Sequence, residues 1–194
     1  METGPGAPGL TRDNAPMARD ALILFAAGRD RPGIVDRLTG VVYRSGCNIE
    51  DSRMAILGDE FALIGLVTGS ETDLRSIEAE LPRLTAELEL TAHLKRTTAG
   101  ARKAAAPGIR YEIHAVAADH PGIVHKLARV LHEHNVNVAS LDTMLSNAPV
   151  SGTPVFSLDI EAEVPADVPL GALRAQLERV AEAENIDLEI RAAR

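Results

Sequence analysis

The feature that most constrains the fold is that the chain repeats itself. Residues 26–42 (AAGRDRPGIVDRLTGVV) lie over 115–131 (AVAADHPGIVHKLARVL) at an offset of 89, matching Asp30 with Asp119, Pro32 with Pro121 and Gly33 with Gly122. Ile34 with Ile123, Val35 with Val124, Leu38 with Leu127, Val41 with Val130 and Asn48 with Asn137 follow at the same offset. A dense match that recurs once marks two copies of one module rather than a long array. Each copy must then bury its own core, and 45% apolar residues are enough for that. With 3% aromatics and no Trp, the cores are built from Ile, Leu, Val and Ala. That favours thin layers of helix on sheet and leaves no large stacking surface for nucleic acid.

Around the repeat, residues 1–19 mix Gly, Pro and polar residues without periodicity and read as a disordered tail. Residues 97–109 have the small-residue composition of a linker, so module 1 spans 20–96 and module 2 spans 110–194. Each module reads as strand, helix, strand, strand, helix, strand. In the first, 21–27 is an apolar run, Ile34, Val35, Leu38, Val41 and Val42 share a helical face, and Gly46 ends that helix. Residues 48–57 and 61–68 form a hairpin about Gly58-Asp59, Asp73 caps a second helix interrupted near Pro82, and 88–94 alternates as a last strand. The second copy follows with strand 110–117, helix 121–134, strands 137–145 and 154–163, helix 170–184 and strand 187–191, and a longer hairpin loop, 146–153. The predicted fold is α+β: two tandem ferredoxin-like βαββαβ modules, each an antiparallel four-stranded sheet with helices on one face.

That plan makes strands one and three central. In copy one, 21–27 and 61–67 are apolar on both faces, so the face without helices should meet another module or subunit. A homodimer is the expectation. In copy two, Ser157, Asp159, Glu161 and Glu163 make the corresponding face polar, suited to water or a basic partner.

The net charge of −8 is spread over both halves, and neither carries the Lys and Arg surplus that direct nucleic-acid binding needs. The one cysteine, Cys47, allows no internal disulfide and reads as a small buried hydrophobe. No signal sequence or apolar run of about 18 residues appears, so a cytoplasmic protein without a membrane partner is expected. His120, His125, His132 and His134 lack the i to i+4 spacing of helical metal ligands, and no nucleophile, Walker or dinucleotide motif is present. No cofactor, metal or catalytic residue is expected.

The residues that carry chemistry are Asp-x-Pro-Gly-Ile-Val at 30–35 and 119–124, between the first strand and first helix of each copy. A helix start offers unpaired N–H groups and partial positive charge to a carboxylate. Gly33 and Gly122 leave the approach open, and Asp30 or Asp119 can hold an ammonium group. The pattern therefore suits an amino-acid clamp. It equally suits a plain helix start, with Asp as N-cap, Pro in the first turn and Gly in the turn. The sequence leaves the two readings even.

This arrangement resembles the ACT domain. Residues 30–35 (DRPGIV) and 46–61 (GCNIEDSRMAILGDEF) resemble the amino-terminal ACT module of the glycine cleavage system transcriptional repressor family, and the second half resembles it in pattern and tandem arrangement. The resemblance implies a non-enzymatic, glycine-responsive partner of a LysR-type activator, binding a small amino acid, glycine or serine first, between adjacent modules. It implies ligand contacts at Asp30, Arg31, Pro32, Gly33, Ile34, Asn48 and Ile49, and at Asp119, His120, Pro121, Gly122, Ile123, Asn137 and Val138. His120 in place of Arg31 means the two sites need not share a ligand. Two further classes stay open: a ligand-free dimerisation or adaptor module, and a regulatory subunit of an amino-acid metabolic enzyme.

Overall fold

The computed structural model describes residues 19–100, 108–148 and 152–193, so the tail before Arg19 and most of the linker lie outside the described residues. The chain divides into two compact units, residues 1–102 and 103–194, each considered by itself. In module 1 the elements are β1 (Arg19–Arg29), α1 (Ile34–Arg44), β2 (Asn48–Leu57), β3 (Glu60–Thr68), α2 (Glu71–Glu87) and β4 (Thr91–Ala99). Module 2 repeats them as β5 (Gly108–Ala118), α3 (Ile123–Glu133), β6 (Asn137–Asn147), β7 (Pro154–Pro165), α4 (Leu170–Glu184) and β8 (Asp187–Ala192). The sheets run β2-β3-β1-β4 and β6-β7-β5-β8, all antiparallel between neighbours, so strands one and three of each module are central as expected.

The helical faces read from the sequence are the buried ones, except that Val35, on the flank of the α1 face, is 40% exposed. Ile34, Leu38, Val41 and Val42 of α1 meet Leu74, Ile77 and Leu81 of α2 over Leu22, Leu24 and Ala26 of β1. Ile123, Leu127, Val130 and Leu131 make the same layer with Leu173 and Leu177 over Ile113, Ala115 and Ala117. The first helices close alike: Cys47 N–H donates to the Val42 carbonyl and Gly46 N–H to that of Tyr43, while Val136 and Asn135 donate to Leu131 and His132. Gly46 and its counterpart Asn135 take the left-handed conformation that this closure requires, at φ 74° and 53°.

Three local expectations are corrected. Ser70, not Asp73, is the N-cap of α2; Asp73 sits three residues on and accepts from the Ser70 N–H, completing a capping box. The helix runs through Pro82 to Glu87 without a break. The last strand starts at Thr91 rather than Leu88, because Glu89 adopts φ 53° and Leu90 N–H closes on the Thr85 carbonyl, so the buried Leu88 and Leu90 finish the helix. Residues 97–99 of the expected linker extend β4, and 108–109 begin β5.

Each second strand carries a bulge at the same repeat position, between Ile49 and Asp51 and between Val138 and Ser140. The bulge swaps which alternate residues face the helices. Beyond it, the face without helices in module 1 carries the cross-strand rows Arg53, Ile64, Phe25, His93 and Asp51, Leu66, Ile23, Lys95. The matching rows of module 2 read Asp142, Asp159, His114, Glu189 and Ser140, Glu161, Glu112, Arg191.

Candidate functional site

Both Asp-x-Pro-Gly loops leave the end of a central strand whose partner strand pins the Asp backbone. Asp30 N–H donates to the Asp59 carbonyl at 2.8 Å and Asp119 N–H to that of Pro154 at 3.3 Å. The plain-cap reading does not survive. Gly33 and Gly122 are themselves the N-caps, at φ 93° and 101°, and neither helix start receives a side-chain cap. The Asp30 and Asp119 carboxylates have no hydrogen-bonding partner among the described residues and are exposed. Only glycine adopts this backbone without strain. A Cβ on Gly33 would meet nothing within 4 Å and one on Gly122 only Lys126 Cε at 3.7 Å, so the approach to each helix start is open.

The basic neighbours of the loops are engaged with the end of the second helix. Arg31 donates to the Leu88 carbonyl and pairs with Glu89 at 3.1 Å, and Arg37 pairs with Glu87 at 2.5 Å. At the same repeat positions in module 2, His120 lies 3.9 Å and Lys126 2.6 Å from Glu184. The bonds from Arg37 to Glu87 and from Lys126 to Glu184 hold both carboxyls below the ordinary range. These basic side chains brace the loop; the free donors left for an anion are the backbone N–H groups of the first helical turn. That turn differs between modules: α1 carries Asp36 there, whereas α3 carries no acid and has His125 at the matching position.

The other expected contacts sort differently. Ile34 and Ile123 are 2% exposed, so only their main chains can reach a ligand. Pro32 and Pro121 are exposed. Asn48 and Ile49 are not beside Asp30: Asn48 pairs with Thr68, whereas Arg29, just before Asp30, pairs with Glu60 at the other end of β3. Eight residues of strand separate the two ends, about 26 Å. In module 2, Asn137 and Val138 stand at the end of β7 marked by Glu163 and Ala162, and Ala118 pairs with Val155 at the opposite end. Asn137 also donates to Glu163 at 3.3 Å. One module by itself cannot place both sets round one small amino acid.

A shallow hollow of about 480 Å³ lies elsewhere, on the bare face of module 2, bordered by Glu112, His114, Asp142, Asp159, Glu161 and Glu189. His114 Nδ1 is 2.6 Å from Asp159 Oδ1 there. Five carboxylates make it a poor place for an amino-acid carboxylate. Sequence reasoning noted the acidic strand but not the hollow, which depends on residues from all four strands. Cys47 packs against the module 1 core, with its thiol pKa raised by burial and then by Asp73. Among the described residues no cluster of His, Cys, Asp and Glu could hold a metal ion, and no helix is long and apolar enough to cross a membrane.

Two βαββαβ modules with matched, open Asp-x-Pro-Gly helix starts define a tandem ACT-domain protein, and the ACT domain family model matches residues 20–95. The chain is 37% identical over 145 residues to the glycine cleavage system transcriptional repressor of Escherichia coli K12, covering 75% of each, and it belongs to that protein's family. A crystal structure described as a candidate glycine cleavage system transcriptional repressor superposes with a TM-score of 0.66 at 27% identity, over 90% of this chain and 98% of the other. An unknown protein from Galdieria sulphuraria superposes at 0.78 with 26% identity, over 91% and 99%. In keeping with its repressor relatives, the chain is a regulatory protein and not an enzyme.

Proposed function

We propose that the chain senses a small amino acid in the cytoplasm, glycine or serine first, and passes the signal by protein contact to a DNA-binding activator of the LysR type. The observation that carries this reading is the pairing, twice at one offset, of an uncapped helix start with an unpartnered aspartate three residues upstream. A zwitterion needs both: donors for its carboxylate and an acceptor for its ammonium group. A ligand-free adaptor needs neither. The likeness to a repressor supports the regulatory half of the reading, and the acidic net charge supports action without direct DNA contact.

Module 2 is the stronger site on this reading, because Asp36 repels a ligand carboxylate at the first turn of α1 and nothing acidic stands in that turn of α3. Asn48, Ile49, Asn137 and Val138 would take part only when a second module is laid alongside β2 or β6. Titration calorimetry on the full chain tests the clamp with glycine, glycinamide and N-acetylglycine. Glycine should bind, and both blocked forms should lose at least tenfold in affinity, since each removes one of the two charges the clamp holds. Equal binding of all three, or heat from none, defeats the sensor reading in favour of the adaptor.

A further inference from the structure

The bare sheet face of module 1 is apolar at its centre, and that of module 2 is acidic. In the two central strands of module 1, Phe25 stands beside Ile64 and Ile23 beside Leu66, with Phe25 38% and Ile64 43% exposed. Side by side on a face without helices, they form an apolar stripe that water solvates poorly. The rows end in charge: Asp51 on the β2 edge and Lys95 on the β4 edge lie in one row, at opposite sides of the sheet.

We propose that module 1 pairs bare face to bare face with module 1 of a second copy of the chain, about a two-fold axis running along the strands between β1 and β3. That operation keeps the strands aligned, as in packed sheets, and lays each β2 over the other copy's β4. Phe25 then packs on Ile64 of the second copy and Ile23 on its Leu66. Asp51, which bonds Arg53 in its own strand at 2.7 Å, comes opposite Lys95 of the second copy at both ends of the stripe. That row is self-complementary in sign, while the neighbouring row lays Arg53 over His93 of the second copy. The same operation on module 2 lays Asp142 over Glu189 and Glu161 over Glu112, acid on acid, with Asp159 over His114 and Ser140 over Arg191, and no apolar stripe lies between them. One repeat is thereby the dimerising face, and the other keeps an open acidic face.

Sedimentation of the full chain at micromolar concentration should show a dimer. Ile64→Glu should convert it to a monomer with unchanged circular dichroism, and Asp159→Asn, in the matching row of module 2, should leave the dimer intact. Asp51→Lys should weaken the dimer about tenfold, and adding Lys95→Asp should restore it. That charge swap gives an answer even if Ile64→Glu fails to fold. A monomeric wild type overturns the proposal. So does a dimer that survives Ile64→Glu but is lost with Met54→Glu, because Met54, 51% exposed on the opposite face of edge strand β2, would report pairing edge to edge.

Discussion

At the first helical turn module 1 places Asp36 where module 2 places His125, and on the bare sheet face Phe25 and Ile64 stand where module 2 has His114 and Asp159. Behind these differences the backbone is held constant. The left-handed N-cap glycine, the left-handed residue that closes the first helix and the bulge in the second strand all recur at the offset of 89. What the repeat preserves is whatever backbone geometry demands, and what it lets drift is the surface charge that selects partners. The two modules therefore share a fold while presenting different surfaces.

The largest effect that can break this comparison lies in the cores. Leu38 and Leu127 occupy matching positions and are 1% and 0% exposed. Leu38→Ala and Leu127→Ala should each cost about 2–5 kcal/mol, and by similar amounts, in urea unfolding of the full chain. A cost confined to one of them would show that the modules do not share one packing plan.

A smaller effect sharpens the contrast between helix starts. His125→Asp should weaken amino-acid binding in calorimetry by about two- to fivefold, the worth of one charge at a helix N-terminus, roughly 0.3–1 kcal/mol. Asp36→Asn should strengthen binding at module 1 by a similar factor. Identical affinities in all three proteins would mean that the ligand does not use the helix start.

The smallest effect concerns acid. Bonds from Arg75 and Arg96 hold the Glu71 carboxyl below its ordinary 4.5, and Arg96 does the same for Glu78. Lys126 lowers only Glu184. A carboxyl with a lowered folded pKa contributes stability that is fully present above the unfolded value and lost as pH falls through the folded one. The melting temperature should therefore drop on acidification below about 4.5. Arg96→Gln should flatten that drop more than Lys126→Gln, since Arg96 serves two carboxylates; the reverse order in calorimetric scans would remove these pairs as its cause. Glu78 and Glu184 are half-buried and Glu71 is exposed, so solvent screening keeps the effect on stability small.

The order strand, helix, strand, strand, helix, strand in each copy, together with apolar strands one and three in the first, made the topology legible. At the helix starts the sequence left cap and clamp even for a definite reason: Asp two residues before Pro looks like a cap, and only the positive φ of Gly33 and Gly122 shows that the chain turns too late for the Asp side chain to reach the helix. Leu88 and Leu90 imitate an alternating strand, and nothing in the sequence announces that Glu89 takes a left-handed conformation. The split between Asp30 and Asn48 was invisible for another reason. Sequence proximity of 18 positions says nothing about which end of the sheet each residue reaches, whereas strand direction does.

The bulges at Glu50 and Ala139 have a practical consequence for anyone who wishes to modify this chain. Each sets the frame for every inward and outward residue up to its hairpin, so losing or gaining a residue between bulge and hairpin would turn Arg53 or Asp142 inward. Length is free to change only at the hairpin tip. The two copies differ there, with two residues at 58–59 and a longer stretch at 148–153. That second tip is the natural place to insert a fluorophore-bearing loop and watch occupancy of the protein without disturbing either sheet.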